Sequence, residues 1–348
     1  MEMPAKLNIA IVGATGAVGR EVLSILLQRS FPIKRLRLFS SARNVGQKIK
    51  FGVTQVILEE LTEQEPFTDL DLVFFTASSA VSQRHAPRAA AAGALAIDNA
   101  SVFRMDPDVP LVVPEVNGHT LEQAREKRLV ANPNCTTAQM VMALKPLHDR
   151  FRIKRVILSS YQAVSGKGQK GIDEFKTQVR EFVEGRKPTV DAFAHPIAFN
   201  ALPHIDAFRP DGFTDEEYKV MEETKKILGD ATIRVLATCV RVPVVNCHSE
   251  SITIETEKPV TPEQARAALQ AMPGVTLFDD PATNTYPLAM DVSGKDEVYV
   301  GRIRPDPSLL VGEYGLTLWV VADNLRKGAA LNAVQIAEAA IERGLLRR

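Results

Sequence analysis

A chain of 348 residues, 45% of them apolar, is long enough for two domains with separate cores and does not have the composition of a disordered protein. Its 42 basic and 42 acidic side chains cancel, so no global field favours nucleic acid or an anionic membrane, and any anion must be held locally. No apolar run approaches the roughly 20 residues that span a bilayer, the N-terminus reads straight into a strand, and the three cysteines (Cys135, Cys239, Cys247) lack metal-ligand spacing, which predicts a soluble cytoplasmic protein with neither disulfide framework nor metal.

The apolar run Leu7 to Val12 ends in Gly13-Ala14-Thr15-Gly16-Ala17-Val18-Gly19, after which Val22, Leu23, Leu26 and Leu27 recur at helical spacing. Strand, glycine turn and helix in that order predict dinucleotide binding. Glycines three apart let the backbone turn tightly and approach a pyrophosphate, whose charge is favoured by the free N–H groups and dipole of the helix start. The plainer alternative is a turn that only joins strand to helix. The next strand, Leu36 to Phe39, is where such folds distinguish cofactors: NAD calls for a carboxylate there, NADP for cationic or hydroxyl donors. No acidic residue occurs between Glu21 and Glu59, and the strand runs out into Ser40-Ser41-Ala42-Arg43-Asn44. NADP is expected, the alternative being that Arg43 is one more solvated cation beside Lys34, Arg35, Arg37 and Lys48.

Strands at Leu70 to Thr76 and Ala94 to Ile97 flank an alanine-rich helix from about Val81 to Ala92. This alternation predicts a parallel sheet with helices on both faces and ligands at the carboxyl ends of the strands, where Thr76, Ser78 and Ser79 fall. Helix capping is the alternative for the serines. Leu129-Val130-Ala131 leads into Asn132-Pro133-Asn134-Cys135-Thr136-Thr137, beyond which Met140, Val141, Leu144 and Leu147 keep a helical stripe. Cys135 is thereby predicted in a first helical turn, where the positive end of the helix favours a thiolate, and reads as a nucleophile rather than a small buried apolar residue.

A strand then runs from Val156 to Val164 into Ser165-Gly166-Lys167-Gly168, followed by a polar helix from Ile172 to Val183. Residues Arg186 to Phe213 lack periodicity and read as an extended surface connection, a candidate subunit contact. Thr214-Asp215-Glu216-Glu217 opens a charged helix to Leu228. Strands at Thr232 to Pro243, Ser251 to Glu257, Val298 to Ile303 and Leu316 to Ala322, with one helix at Pro262 to Ala271, predict a second, α+β domain on a mostly antiparallel sheet; a last helix covers Ala329 to Ile341.

Ordered blocks along almost the whole chain resemble aspartate-semialdehyde dehydrogenase: the Gly13 to Gly19 turn, Ser41-Ala42-Arg43, Ser101-Val102-Phe103-Arg104, Asn132 to Thr137, Tyr161 to Gly166, Glu216 to Lys219, Arg241 to Val244 with His248-Ser249-Glu250, and Asp323 to Gly328. The resemblance implies an α/β chain, with a Rossmann-type NADP-binding domain over 1-133 plus 325-348 and a catalytic and dimerisation domain over 134-324. It implies NADP-dependent interconversion of aspartyl β-phosphate and aspartate β-semialdehyde, on the way to lysine, threonine and methionine, by a homodimer. Cys135 is then the acyl-bearing nucleophile, His248 the acid/base and Gln162 the group that orients substrate. Arg241 grips the substrate carboxylate and Glu216 its amine, while Arg104, Lys219 and Asn134 hold phosphate. The cofactor falls to Gly13, Thr15, Gly16, Ala17, Val18, Ser41, Arg43, Asn44, Thr76, Ser79, Ser165, Gly166 and Asn324. Asn44 stands where many relatives have serine, and Cys247 where many have glycine.

These residue types suit the chemistry. A thiolate attacks an acyl phosphate and expels phosphate, histidine can move protons near neutrality, and the arginine fork makes two parallel bonds to a carboxylate. Lys219 and Glu216, three apart on a charged helix, could equally form a surface pair. N-acetyl-glutamyl-phosphate reductase uses the same thioester logic but usually carries Pro-Gly-Cys rather than Pro-Asn-Cys. A silent nucleotide-binding relative predicts a lost nucleophile or base, and both Cys135 and His248 are present.

Overall fold

The computed structural model describes residues 6 to 65 and 67 to 346. Two compact units emerge, Met1–Pro133 with Ala329–Arg348, and Asn134–Gly328.

The first unit contains β1 (Leu7–Val12), α1 (Ala17–Gln28), β2 (Ile33–Ser40), β3 (Lys48–Phe51), β4 (Thr54–Glu60), β5 (Leu72–Phe75), α2 (Ser79–Ala91), β6 (Leu95–Asp98), the short helices α3 (Pro114–Asn117) and α4 (Ala124–Lys127), β7 (Leu129–Ala131) and the chain's last helix, Leu331–Glu342. Its seven strands lie in the order β3-β4-β2-β1-β5-β6-β7. All pairings are parallel except β3 with β4. A parallel sheet is covered on both faces, which is why β5 and β6 are buried throughout and read as continuous apolar runs. Ile9, Ile11, Leu38 and Phe74 pack with Val22, Ile25 and Leu26 of α1 and with Leu331, Val334 and Ala337. Because β1 pairs with β2 on one side and β5 on the other, the strand order reverses beside Gly13, the position where such sheets bind ligands.

The second unit holds α5 (Cys135–Phe151), β8 (Ile153–Gln162), α6 (Gln169–Val183), α7 (Asp215–Leu228), β9 (Arg234–Arg241), β10 (His248–Thr256), α8 (Pro262–Gln270), β11 (Val275–Leu277), α9 (Ala289–Val292), β12 (Val298–Pro305) and β13 (Tyr314–Ala322). Its sheet runs β11-β12-β13-β10-β8-β9, antiparallel through the middle and parallel at both edges. Strict alternation buries one face, with Val156, Leu158, Ser160 and Gln162 on β8 and His248, Glu250, Ile252 and Ile254 on β10, beneath α5, α7 and α8. The other face leaves Tyr161 and Leu236 exposed.

Several expectations are corrected. β3 and β4 form a hairpin where no element was expected; four residues of alternation before Gly52 are too few to stand out. β10 begins at His248, three residues before the predicted Ser251, so His248 belongs to the ladder itself. The segment from Arg186 to Phe213 contains no regular helix or longer strand, yet it is not merely a surface connection. Ile197 and Leu202 are buried with Val164, Gln178 Oε1 accepts from the Ile197 and Ala198 N–H groups, and Leu202 pairs with Arg241. Among the described residues no helix is long and apolar enough to cross a membrane.

Candidate active site

In the first unit the glycine turn is built for close approach. Gly13 has φ +89°, and a Cβ there would stand 2.9 Å from the Thr76 carbonyl carbon and 3.0 Å from Ala77 N. A Cβ on Gly19 would collide with the Gly13 carbonyl oxygen. Gly16 is the N-cap of α1, so Thr15, Gly16, Ala17 and Val18 form the turn and first helical residues, with the Thr15 carbonyl held by Arg20 Nε at 3.0 Å. Thr76 acts on the turn itself, its hydroxyl donating to Val12 O at 2.9 Å and Gly13 O at 3.3 Å. Ser79 Oγ lies 3.4 Å from Ser101 Oγ, while Ser78 sits at the N-cap of α2 without a side-chain capping bond.

A cavity of about 560 Å³ opens at this edge, lined by Gly13, Ser40, Ser41 and Arg43 at the ends of β1 and β2 and by Ser78, Val81 and Arg84 at the start of α2. Asn44 ends a single 3-10 turn, and its Oδ1 accepts from Gln47 at 3.3 Å. The cradle that a Cβ would fill, with hydroxyls and a guanidinium where an NAD site needs a carboxylate, fits a dinucleotide carrying a ribose phosphate. One carboxylate that the sequence reading did not consider, Glu63, also lines the cavity and is paired with Arg84.

In the second unit Cys135 opens α5 behind a double cap: Asn134 Oδ1 accepts from Thr136 N at 2.9 Å and Thr137 N at 3.2 Å. The other end of the Asn134 amide donates to Glu216 Oε1 at 2.9 Å, and its backbone N–H donates to Glu223 Oε2 at 2.7 Å. Glu216 and Glu223 are seven residues apart on α7, two turns on one face, so this helix grips Asn134 by side chain and main chain together.

The sheet supplies the rest. β8 pairs Gln162 with Arg241, and β10 pairs Ser249 with Tyr161, so Gln162, Arg241 and His248 end three adjacent strands on the face beneath α5 and α7. Gln162 Nε2 donates to the same Glu216 Oε1 at 3.0 Å, and its Oε1 is oriented by Ser160 Oγ at 2.9 Å. Glu216 Oε2 lies 3.3 Å from Lys219 Nζ, which also pairs with Asp206. Burial alone would raise the Glu216 pKa, but Lys219, the bonds from Asn134 and Gln162, and Arg241 together hold it below the usual carboxylate value. Arg241 donates to Ala163 O at 2.6 Å and is lowered by burial. His248 Nδ1 accepts from Ala163 N at 3.0 Å, so the neutral ring carries its proton on Nε2, which is buried and has no hydrogen-bond partner among the described residues. Burial and then the Arg241 charge hold the His248 pKa well below 6.5.

Gly166 lies close against both groups: a Cβ there would stand 2.6 Å from an Arg241 guanidinium nitrogen and 3.3 Å from His248 Cε1, so a larger residue would have to shift the Arg241 fork. Ser165 Oγ accepts from Asn324 Nδ2 at 3.0 Å, and Asn324 Oδ1 accepts from Cys247 N at 3.0 Å. Cys247 has φ +73°, a conformation that suits the glycine of many relatives, and its side chain is packed with Val292 and Val321, where burial raises its pKa. Burial likewise raises the Cys239 pKa, and no disulfide joins Cys135, Cys239 or Cys247. Arg104 belongs to the first unit, donating to Asn132 O at 2.9 Å and Asn99 O at 2.8 Å. Sequence reasoning missed Ser160, Glu223 and Glu250. Their one available signal was spacing, two residues from Gln162, seven from Glu216 and two from His248.

The chain matches known proteins over nearly its whole length. Residues 8–124 match the family described as semialdehyde dehydrogenase, NAD binding domain, and residues 144–327 match semialdehyde dehydrogenase, dimerisation domain. The aspartate-semialdehyde dehydrogenase of Aquifex aeolicus is 51% identical over 97% of this chain and 99% of its own. Among solved structures, aspartate semialdehyde dehydrogenase II of Vibrio cholerae, complexed with ASA, matches with TM-score 0.93 and 43% identity over 97% of this chain and 98% of that one. The Candida albicans enzyme with NADP matches with TM-score 0.76 and 25% identity over 98% of this chain and 100% of that one. The chain belongs to the aspartate-semialdehyde dehydrogenase family.

Proposed function

We propose that the protein is a cytoplasmic NADP-dependent aspartate-semialdehyde dehydrogenase, interconverting aspartyl β-phosphate and aspartate β-semialdehyde in lysine, threonine and methionine biosynthesis. One observation carries the reading: Glu216 Oε1 accepts from both Asn134, which caps the helix of Cys135, and Gln162, which ends the strand beside His248 and Arg241. A nucleophile and the groups of a small amino-acid site are thus tied through one carboxylate.

Cys135 Sγ attacks the β-carbonyl carbon, the carbon–oxygen bond to phosphate breaks, and an enzyme thioester forms. The helix N-terminus that Asn134 holds in register favours the thiolate form of this nucleophile. Bound NADPH supplies the hydride that reduces the thioester. His248 offers Nε2–H, the proton position its Nδ1 bond enforces, to the thioester carbonyl oxygen, which gains charge as the hydride adds; the carbon–sulfur bond then breaks, returning the Cys135 thiolate and releasing aldehyde. Arg241 forks onto the α-carboxylate, Glu216 takes the α-amine, and Gln162 orients the acyl group. Lys219 and Arg104 are assigned to phosphate. Asn134, whose amide is engaged at both ends, serves that phosphate through the helix start it holds.

Gly13, Thr15, Gly16, Ala17 and Val18 are assigned to the pyrophosphate, and Ser41, Arg43 and Asn44 to the ribose phosphate. Thr76 and Ser79 line the same strand edge, and Ser165, Gly166 and Asn324 are likewise assigned to the cofactor. Residues 1-133 with 325-348 are assigned to cofactor binding and 134-324 to catalysis and dimerisation. The open sheet face, where the Tyr161 and Trp319 rings lie 5.5 Å apart, is the surface offered to a second copy.

The test is phosphate-dependent reduction of NADP with aspartate semialdehyde, run beside NAD and beside N-acetylglutamate semialdehyde. Cys135→Ala should keep NADP affinity and lose turnover. Turnover near that of the unmodified protein would end the reading, and preference for the acetylated substrate would move it to the reductase.

A further inference from the structure

The cavity at the end of β2 is lined by two arginines. Arg43 reaches it from the turn after β2 and Arg84 from α2, and among the described residues lining it Glu63 is the one carboxylate. Glu63 Oε1 pairs with the Arg84 guanidinium. The other two guanidiniums nearby are committed to holding this segment. Arg37 is bound by Glu59 at 2.6 Å and Glu65 at 2.9 Å, and Arg88 donates to the Glu63 and Glu65 backbone carbonyls. Those bonds fasten the 63–65 segment to α2 and β2 and keep the Glu63 carboxylate at the rim.

We infer that Arg84 is a second guanidinium contact for the ribose phosphate of NADP and that Glu63 is its counterion, the pair together setting how strongly NADP is preferred to NAD. The inference rests on the NADP assignment and deepens it. A phosphate near a double negative charge is better held by two guanidiniums from different elements than by one, since each offers a planar fork of donors. The side chains of Arg84 and Glu63 are 60% and 64% exposed, so their attachment is weak and screened, and a more highly charged anion can displace the carboxylate. Two positive charges and one negative face the cavity now; a phosphate that takes over Arg84 leaves Glu63 in water at its rim. NAD carries a hydroxyl in place of that phosphate. Glu63 can accept from it, supplying late in the chain the carboxylate that β2 lacks.

The test uses the full chain and titration calorimetry with 2′,5′-ADP, which carries the ribose phosphate, and 5′-AMP, which does not. Arg84→Gln should weaken 2′,5′-ADP about tenfold, the worth of a charge-assisted bond, while leaving 5′-AMP within about twofold. Glu63→Gln should tighten 2′,5′-ADP by about threefold or more, as expected for removing a rim charge. If Arg84→Gln leaves 2′,5′-ADP unchanged, or weakens both ligands equally, the inference fails. If the unmodified protein binds 2′,5′-ADP no better than 5′-AMP, it is the NADP assignment that fails. Both side chains are exposed, and unfolding temperatures of the variants, expected within a degree or two of the parent, confirm that binding and not folding has changed.

Discussion

Gly328 faces Cys135 so closely that a Cβ added to it would stand 2.8 Å from the cysteine Cβ and 3.2 Å from its Cα. The contact is against backbone and the root of the side chain, so no rotamer change relieves it. Gly328→Ala should therefore displace the nucleophile. We expect a stability loss of about 1–3 kcal/mol, typical of overpacking, together with slower alkylation of Cys135 by iodoacetamide. Thermal unfolding with a timed alkylation series checks both. An unchanged alkylation rate in a folded variant would show that the cysteine tolerates the intrusion.

His248 gives a pH prediction. Its Nδ1 accepts a backbone N–H, and burial with the Arg241 charge keeps the ring neutral well below pH 6.5. Turnover should accordingly show no loss centred near pH 6.5 from this group. Below pH 6.5 the unfolded state takes up a proton that the folded ring refuses, so stability is lost as pH falls. Buried His85 and His148 push in the same direction. His248→Gln, which keeps an N–H donor, should reduce that acid sensitivity and retain more turnover than His248→Ala, expected to lose about 100-fold or more. Denaturant midpoints from pH 8 to pH 5 and parallel rate profiles decide this. A rate limb at pH 6.5 that vanishes in His248→Gln would contradict it.

Asn134 is a cap and a bridge at once, and two substitutions separate these roles. Asn134→Ala loses both helix bonds and the link to Glu216, which should cost about 1–2 kcal/mol of stability. Asn134→Asp keeps the acceptor for Thr136 and Thr137 but sets a second carboxylate against Glu216. At neutral pH it should cost stability through repulsion of the two buried carboxylates and weaken substrate binding, because a like charge raises the pKa of the group assigned to the amine, and the stability cost should shrink as pH falls. Calorimetric unfolding at pH 7 and pH 5 with KM for aspartate semialdehyde distinguishes it from Asn134→Ala, whose cost comes from lost bonds. The same pH dependence in both variants would deny the separation.

What was legible in the chain was what is local. The Gly13 to Gly19 turn, the apolar run of β1 and the stripe behind Cys135 each express their structure within a dozen residues. The meeting of Gln162, Arg241 and His248 is not local: it arises from β8 pairing with both β9 and β10, across separations that no periodicity records. Glu223 was hidden for another reason. On a helix as charged as α7 a carboxylate looks solvated, and only the packing of α7 against the start of α5 turns it inward to the Asn134 N–H. Glu250 is similar, a polar residue in a strand that alternation alone commits to the covered face, where burial raises its pKa well above the usual value. Glu63 follows a hairpin that was itself unread, so the carboxylate sought on β2 and missing there could not be found further along.

Asp98, at the end of β6, supports a last prediction. It is fully buried, accepts from Ser82 Oγ at 2.6 Å and from Ala100 N at 3.1 Å through one oxygen, and its other oxygen has no partner among the described residues. Burial outweighs these two bonds and the nearby Arg104 and pushes its pKa up to about 6. An unfolded aspartate titrates near 3.8, so between those values the folded state holds a proton that the unfolded state has lost. The contribution is therefore fully present below the unfolded pKa and is lost as pH rises through 6. A shift of roughly two units corresponds to about 3 kcal/mol at most. Asp98→Asn removes the ionisation while keeping an oxygen for Ser82 and Ala100, so the difference in stability between variant and parent should grow in the variant's favour from pH 4.5 to pH 7. Guanidinium unfolding at both pH values measures that difference directly. A difference that stays constant would mean that the carboxyl of Asp98 is ionised in the folded protein throughout the range.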